Sequence, residues 1–287
     1  MAVHNHSNVL AVTFALASAL TIAVGTVWRH HILRTGLSHT EANASPLGSL
    51  RSAQWWASLC LAFVAYGLQA LALGFGSLLV VQPILVLSLM FTLVLSARVE
   101  RRRMDTGEAL WALALTACVG VVIVLGRPVP GQRVAAWWEW AAAIAVGAIA
   151  CALVVAAAYR RPPYAQALLY GIVCGAVFGY LAVFSKVAVD AFAAGGLPAL
   201  VSTWQFWAML AASVLGTAVQ QYAFGAGVLS ASLPAMKIVE PLIALTLGLT
   251  ILGESLQVNT VAEWAVMGAS ISGMLVATGM LARRPVA

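Results

Sequence analysis

Leu229–Gly253 reads LSASLPAMKIVEPLIALTLGLTILG, and it decides the class of the protein. The run is apolar enough to cross a bilayer, yet it carries Lys237, Glu240 and two prolines, Pro234 and Pro241. Charge deep in a spanning helix is expensive and by default marks a pathway or a site. Each proline removes the backbone bond to the carbonyl four residues earlier. Pro241 therefore releases the carbonyl of Lys237, and Pro234 that of Ser230. Released carbonyls at membrane depth are tolerated where protein or a water-filled cavity satisfies them. The simpler alternative is that Lys237 and Glu240, at i and i+3, only neutralise each other inside a packed bundle.

The composition agrees with a membrane setting. Of 287 residues, 62% are hydrophobic and 8% charged, against about 25% charged in a soluble domain. The expected class is an all-α, polytopic membrane protein. Spanning helices need about 20 mostly apolar residues. Nine stretches qualify: 8–28, 53–75, 77–97, 107–126, 134–158, 164–189, 202–225, 229–252 and 260–281. The tryptophans cluster near their ends, where interfacial aromatic belts sit. Ala17-Ser18-Ala19 resembles a signal-peptidase site, but the apolar run continues to Trp28 and only His4 and His6, with no Lys or Arg, lie ahead of it, so span one is expected to stay attached. Polar residues 30–52 are expected as the longest loop.

Arginine placement predicts the orientation. With the N-terminus outside, the inner connections hold eleven arginines and the outer ones only Arg127 and Arg133. The expectation is the cytoplasmic (inner) membrane, N-terminus outside and C-terminus inside. The net charge of +6 is then topology rather than a nucleic-acid signal.

An internal repeat is visible. At an offset of 151 residues, Gln54, Trp56, Ala57, Gln69, Ala72, Gly74, Gly76 and Pro83 match Gln205, Trp207, Ala208, Gln220, Ala223, Gly225, Gly227 and Pro234. The offset moves the pattern by five spans, so the halves are expected to be inverted. They would comprise 1–133 (spans one to four) and 161–287 (spans six to nine), with 134–160 (span five) joining them. Inverted repeats are a signature of secondary transporters, with the site near the midplane between the repeats.

The stretch QALALGFGSLLVVQPILVLSLMF and its partner QQYAFGAGVLSASLPAMKIVEPLIALTLGLTILGESL resemble the drug/metabolite transporter superfamily, of the EamA-like kind. Gly253-Glu254 matches the closing Gly-Glu of that pattern, whereas the first half has Arg98–Arg103 there. The nine-span layout and Trp55-Trp56 resemble the NIPA-type magnesium branch. That branch carries an acid in mid-span two, and Ala65-Tyr66-Gly67-Leu68-Gln69 has none. Span one also lacks the Glu used by small multidrug-resistance relatives. The resemblance implies alternating access by a small-molecule transporter, driven by protons or by the substrate gradient. The alternatives are a divalent-cation transporter, a lipid-linked-sugar flippase and a non-transporting accessory subunit.

At 1.5 Å per residue, Lys237 lies roughly 10–12 Å and Glu240 roughly 15 Å from the inner end of span eight. Glu240 is the expected coupling residue, with Lys237 as its partner or an anion contact. Gln69 and Gln220 occupy matched positions and are expected either to glue helices or to touch substrate. Gln82, beside Pro83, and Tyr222 are further candidates for substrate contact. Lys186 and Asp190, at i and i+4, are expected as a snorkelling pair. Glu139, Glu254 and Glu263 are expected to be solvated at outer helix ends. Gly171, Gly175 and Gly179 form a small-residue ridge, which suits contact within the chain or with a second copy as a homodimer. No nucleophile–base set, Walker loop or dinucleotide fingerprint appears. Enzyme activity, a cofactor, a resident metal and nucleic acid are therefore not expected. The partners are the bilayer and a small-molecule substrate.

Overall fold

A computed structural model describes residues 8–37, 53–99, 104–131, 133, 135–225 and 229–282. His4, His6, His39, Gly227, Arg51, Arg101, Arg102, Arg103, Arg283 and Arg284 lie outside the described residues. The described part is all-helical. In order the helices are α1 (Asn8–Leu37), α2 (Ala53–Phe75), α3 (Leu78–Val86), α4 (Ser88–Val99), α5 (Thr106–Gly126), α6 (Trp137–Ala158), α7 (Pro163–Ser202), α8 (Trp204–Gly225), α9 (Leu229–Thr250) and α10 (Val261–Ala282).

Among the described residues, seven segments are long and apolar enough to cross a membrane, with α3 and α4 together making one of them. α2 contributes a shorter apolar stretch, Phe63–Phe75. α8 is outside the seven; Gln205, Gln220 and Gln221 dilute its apolar character.

Three expected boundaries change. The stretch 77–97 is two helices meeting at Leu87, not one. Pro83 has no N–H for the Leu79 carbonyl, and the chain tightens where Leu87 N–H donates to Ile84 O at 3.0 Å. Span six continues past 189 to Gly195 and Gly196, which leave helical geometry; Gly196 takes φ +66°, a left-handed value that suits glycine. A short second helical segment then carries Pro198 to Ser202. Span one also runs on, so the backbone of 30–37 is helix rather than loop.

The helices pack as two similar groups. α1 lies against α2, α3 and α4, and α7 lies against α8 and α9. Cross contacts pair α3 with α9, α5 with α10 and α2 with α7. The α3–α4 segment is the most enclosed span, whereas α6 touches α7 and is otherwise exposed along its length.

Lipid tails are as apolar as leucine, so close backbone approach and interhelical hydrogen bonds must hold such a bundle. The α7 ridge supplies the approach. A Cβ at Gly171, Gly175 or Gly179 would lie 2.5 Å from Ser232 O, 2.7 Å from Met236 O or 2.9 Å from Glu240 O. The ridge therefore faces α9 of the same chain, and the backbone of Glu240 sits directly on it.

Candidate functional site

Helical spacing puts Lys237, Glu240, Ala244 and Gly248 along one face of α9. At Gly248 that face is sealed. An added Cβ there would meet Glu254 Oε2 at 3.2 Å and Leu78 Cβ at 3.6 Å. Ala244 is fully buried. Two turns from the seal the face opens, and the side chains of Lys237 and Glu240 are 31% and 24% exposed. Their nearest N···O distance is 3.8 Å. The charges attract at that range, but the polar atoms are too far apart for a hydrogen bond. The pair is thus held by charge attraction alone, with no hydrogen bond between its members.

On the facing helix α3, Leu78, Gln82 and Leu85 share one stripe, and Leu78 marks it as the stripe toward α9. Gln82 is 2% exposed, and its Nε2 has no hydrogen-bond partner; among the described residues Ser77 Oγ shares that condition. A buried amide donor left unpaired costs about 1–3 kcal/mol.

The seal itself is built of charge. Glu254 follows α9 at a turn where Gly253 takes φ +66°, which glycine alone adopts at little cost. Its own N–H donates to Gly248 O at 3.0 Å. Its carboxylate accepts from Leu78 N–H at 2.7 Å and Leu79 N–H at 3.0 Å, the first two helical residues of α3. Ser77, the N-cap, makes no side-chain cap of its own, so Glu254 replaces it at the positive end of the α3 dipole.

Across the same turn, Lys186 of α7 donates to Leu73 O, in the last turn of α2, at 2.7 Å, and to Asp190 Oδ1 at 2.8 Å. The cation thus sits at the negative end of α2. Glu254 is 3% exposed and Lys186 4%. Burial pushes the Glu254 carboxyl above the ordinary carboxylate range. The Leu78 and Leu79 N–H groups and Lys186 oppose that shift, and Asp190 adds to it.

Two expectations are therefore corrected. Glu254 is not solvated, and Lys186 does not snorkel; both are drawn inward by helix ends that need a partner. Loop contacts complete the seal. Val129 and Ser255 exchange backbone bonds of 2.9 and 3.2 Å, and Gln257 N–H donates to Gly126 O at 2.8 Å. Arg133 pairs with Glu139 and reaches Thr250 O at 3.3 Å. Glu139 is accordingly held in an ion pair rather than only hydrated, while Glu263 accepts from Asn259 and Thr260 N–H.

The remaining candidates divide. Pro83, Pro234 and Pro241 are buried within their helices. Gln69 and Gln220 are half-buried, and Gln220 Nε2 lies 3.7 Å from Met236 Sδ. Tyr222, on α8, is 72% exposed. Among the described residues no three His, Cys, Asp or Glu side chains group to hold a metal ion.

Fold and site together define an all-helical, membrane-embedded protein whose α9 carries a partly exposed Lys237–Glu240 pair and ends at a buried Glu254 clamp. The chain is 49% identical over 279 residues to an uncharacterized protein of Corynebacterium glutamicum, covering 96% of each. The two belong to one family. No family model matches the chain, and no solved structure matches it.

Proposed function

We propose that this protein is a secondary transporter of small molecules, of the drug/metabolite type, in the cytoplasmic membrane. It would work by alternating access. The observation that carries the reading is the α9 face, which is closed at Gly248 and partly open at Lys237 and Glu240. A cleft closed at one end, with an unsaturated ion pair and the unpaired Gln82 amide along it, is what an alternating-access protein holds in one of its two states.

The packing supports nine spans in two inverted repeats. α1 with its partners parallels α7 with its partners, and α3 meets α9 while α5 meets α10. In this reading α2 and α8 also span, residues 1–133 and 161–287 are the repeats, and 134–160 connects them. The N-terminus is outside and the sealed end faces outward. Glu240 is the coupling residue, Lys237 its partner or an anion contact, and Gln82 a substrate contact; Gln69 and Gln220 contribute to the same cavity or to its walls.

The test is charge movement across proteoliposomes holding the purified protein, challenged with magnesium, amino acids and lipophilic cations. A current with one ligand class that is lost in Glu240→Gln is the expected result. Equal currents in both proteins would keep transport and remove Glu240 from it. No flux of any ligand, measured also by electroneutral tracer exchange, would overturn the reading in favour of an accessory subunit or a lipid-linked-sugar flippase.

A further inference from the structure

The α2–α3 turn, Phe75–Ser77, is held by two charged side chains from the other half of the chain. Lys186 grips the carbonyl end of α2, and Glu254 grips the N–H end of α3. Each charge is matched to the helix end it meets. No opening of this end can separate α3 from α9 without pulling the Glu254 carboxyl off Leu78 and Leu79 and letting water reach it.

We propose that the Glu254 carboxyl is a proton-binding site whose occupancy sets whether this end of the cleft is closed, with Lys186 and Asp190 setting its affinity. This rests on the transporter reading above and gives it a gate.

The ligand is a proton rather than a metal ion for a geometric reason. Both carboxylate oxygens already accept N–H donors, so a cation would have to displace them beside the Lys186 ammonium. A proton needs no coordination shell. Asp190, whose side chain is 47% exposed, is the most open member of the cluster.

The charged groups around Glu254 are few. Lys186 and Asp190 approach from α7; α2 and α3 present only the Leu73 carbonyl and the Leu78 and Leu79 N–H groups. Arg133 packs its stem on Gly253 but turns its guanidinium to Glu139 and Thr250 O. On the α9 face the next charges are Glu240 and Lys237, two to three turns away.

The direction follows from burial. In the closed state desolvation, the largest influence, lifts the carboxyl above its ordinary range. In an open state water restores the ordinary value. The closed state therefore binds the proton more tightly. Closure is favoured at low pH and lost as pH rises, and the proton is released on opening. Between the two affinities the opening constant changes by up to about tenfold per pH unit.

The experiment reads the gate directly. Ser77 is fully buried and its hydroxyl has no partner, so Ser77→Cys removes no bond and places a thiol beside the clamp. Its labelling by a membrane-impermeant thiol reagent is compared with that of Asn259→Cys, an exposed position at the same end. The ratio of the two rates cancels ordinary thiol ionisation. Cys60, Cys118, Cys151 and Cys174 are controlled for by the parent protein.

The ratio is expected to climb with pH, up to about tenfold per unit. Glu254→Gln, which keeps an acceptor but takes no proton, should hold it low and flat. Asp190→Asn alters a half-exposed side chain that the fold tolerates, and should move the midpoint to lower pH; Lys186→Met should move it higher. A ratio flat in the parent, or still climbing in Glu254→Gln, would overturn the proposal. So would midpoints unmoved in both Asp190→Asn and Lys186→Met. Ligand flux is read separately. Flux with a flat ratio removes the gate and leaves the transporter; a climbing ratio without flux of any ligand keeps the gate and removes the transporter.

Discussion

Two charged groups in this protein differ in environment, and the difference predicts different energetics. Lys237 and Glu240 are partly open and sit 3.8 Å apart. A pair this open, with no hydrogen bond between its members, is expected to contribute about 0–1 kcal/mol, as solvated pairs do. Lys237→Met is expected to leave thermal unfolding in detergent nearly unchanged, whatever it does to flux. Glu254 serves two buried N–H groups at 2.7 and 3.0 Å. Removing it orphans both, at about 1–3 kcal/mol each, so Glu254→Ala is expected to lower the unfolding temperature clearly. Equal stability in the two variants would show that the clamp is not structural. Of these residues, Glu240 and Lys237 stand out in the sequence because charge is rare in an apolar run. Glu254 and Lys186 do not, because a residue near a helix end reads as solvated until its distant partner is known.

At the scale of elements, α7 and α9 approach closely, and the closeness depends on three glycines. The space at Gly175 is 2.7 Å from Met236 O, backbone that cannot step aside. Gly175→Leu is expected to push the helices apart and cost at least the about 1–3 kcal/mol typical of overpacking. Loss of the folded peak in size-exclusion chromatography, or a large fall in unfolding temperature, would report it; a wild-type profile would remove the ridge from the packing. The four-residue spacing of Gly171, Gly175 and Gly179 is legible as a ridge, but its partner helix is not, since spacing gives a face and not what it faces. The α3–α4 break is legible only in part: Pro83 announces a weakened helix, whereas the break falls four residues later, at Leu87, where the chain tightens.

For the whole molecule, the sealed end joins loops from both halves. Val129 and Ser255 form a hydrogen-bonded antiparallel pair, a geometry whose Cα separation of about 5.5 Å falls within disulfide range. Val129→Cys with Ser255→Cys is expected to cross-link under mild oxidation and to stop flux until reduced. Free flux in the cross-linked protein would show that this end does not move. By itself the sequence determined the membrane class, the helical character, the approximate positions of the helices and the charged stretch on α9. Those follow from composition and local periodicity, because a bilayer requires every apolar segment to satisfy its own backbone. Only the tertiary structure decided which face of α9 is sealed, that Gln82 is left unpaired, and that Glu254 and Lys186 clamp the α2–α3 turn. A helix end far along the chain has no local signature of the side chain that will cap it; the pairing exists only once packing has brought the two halves together.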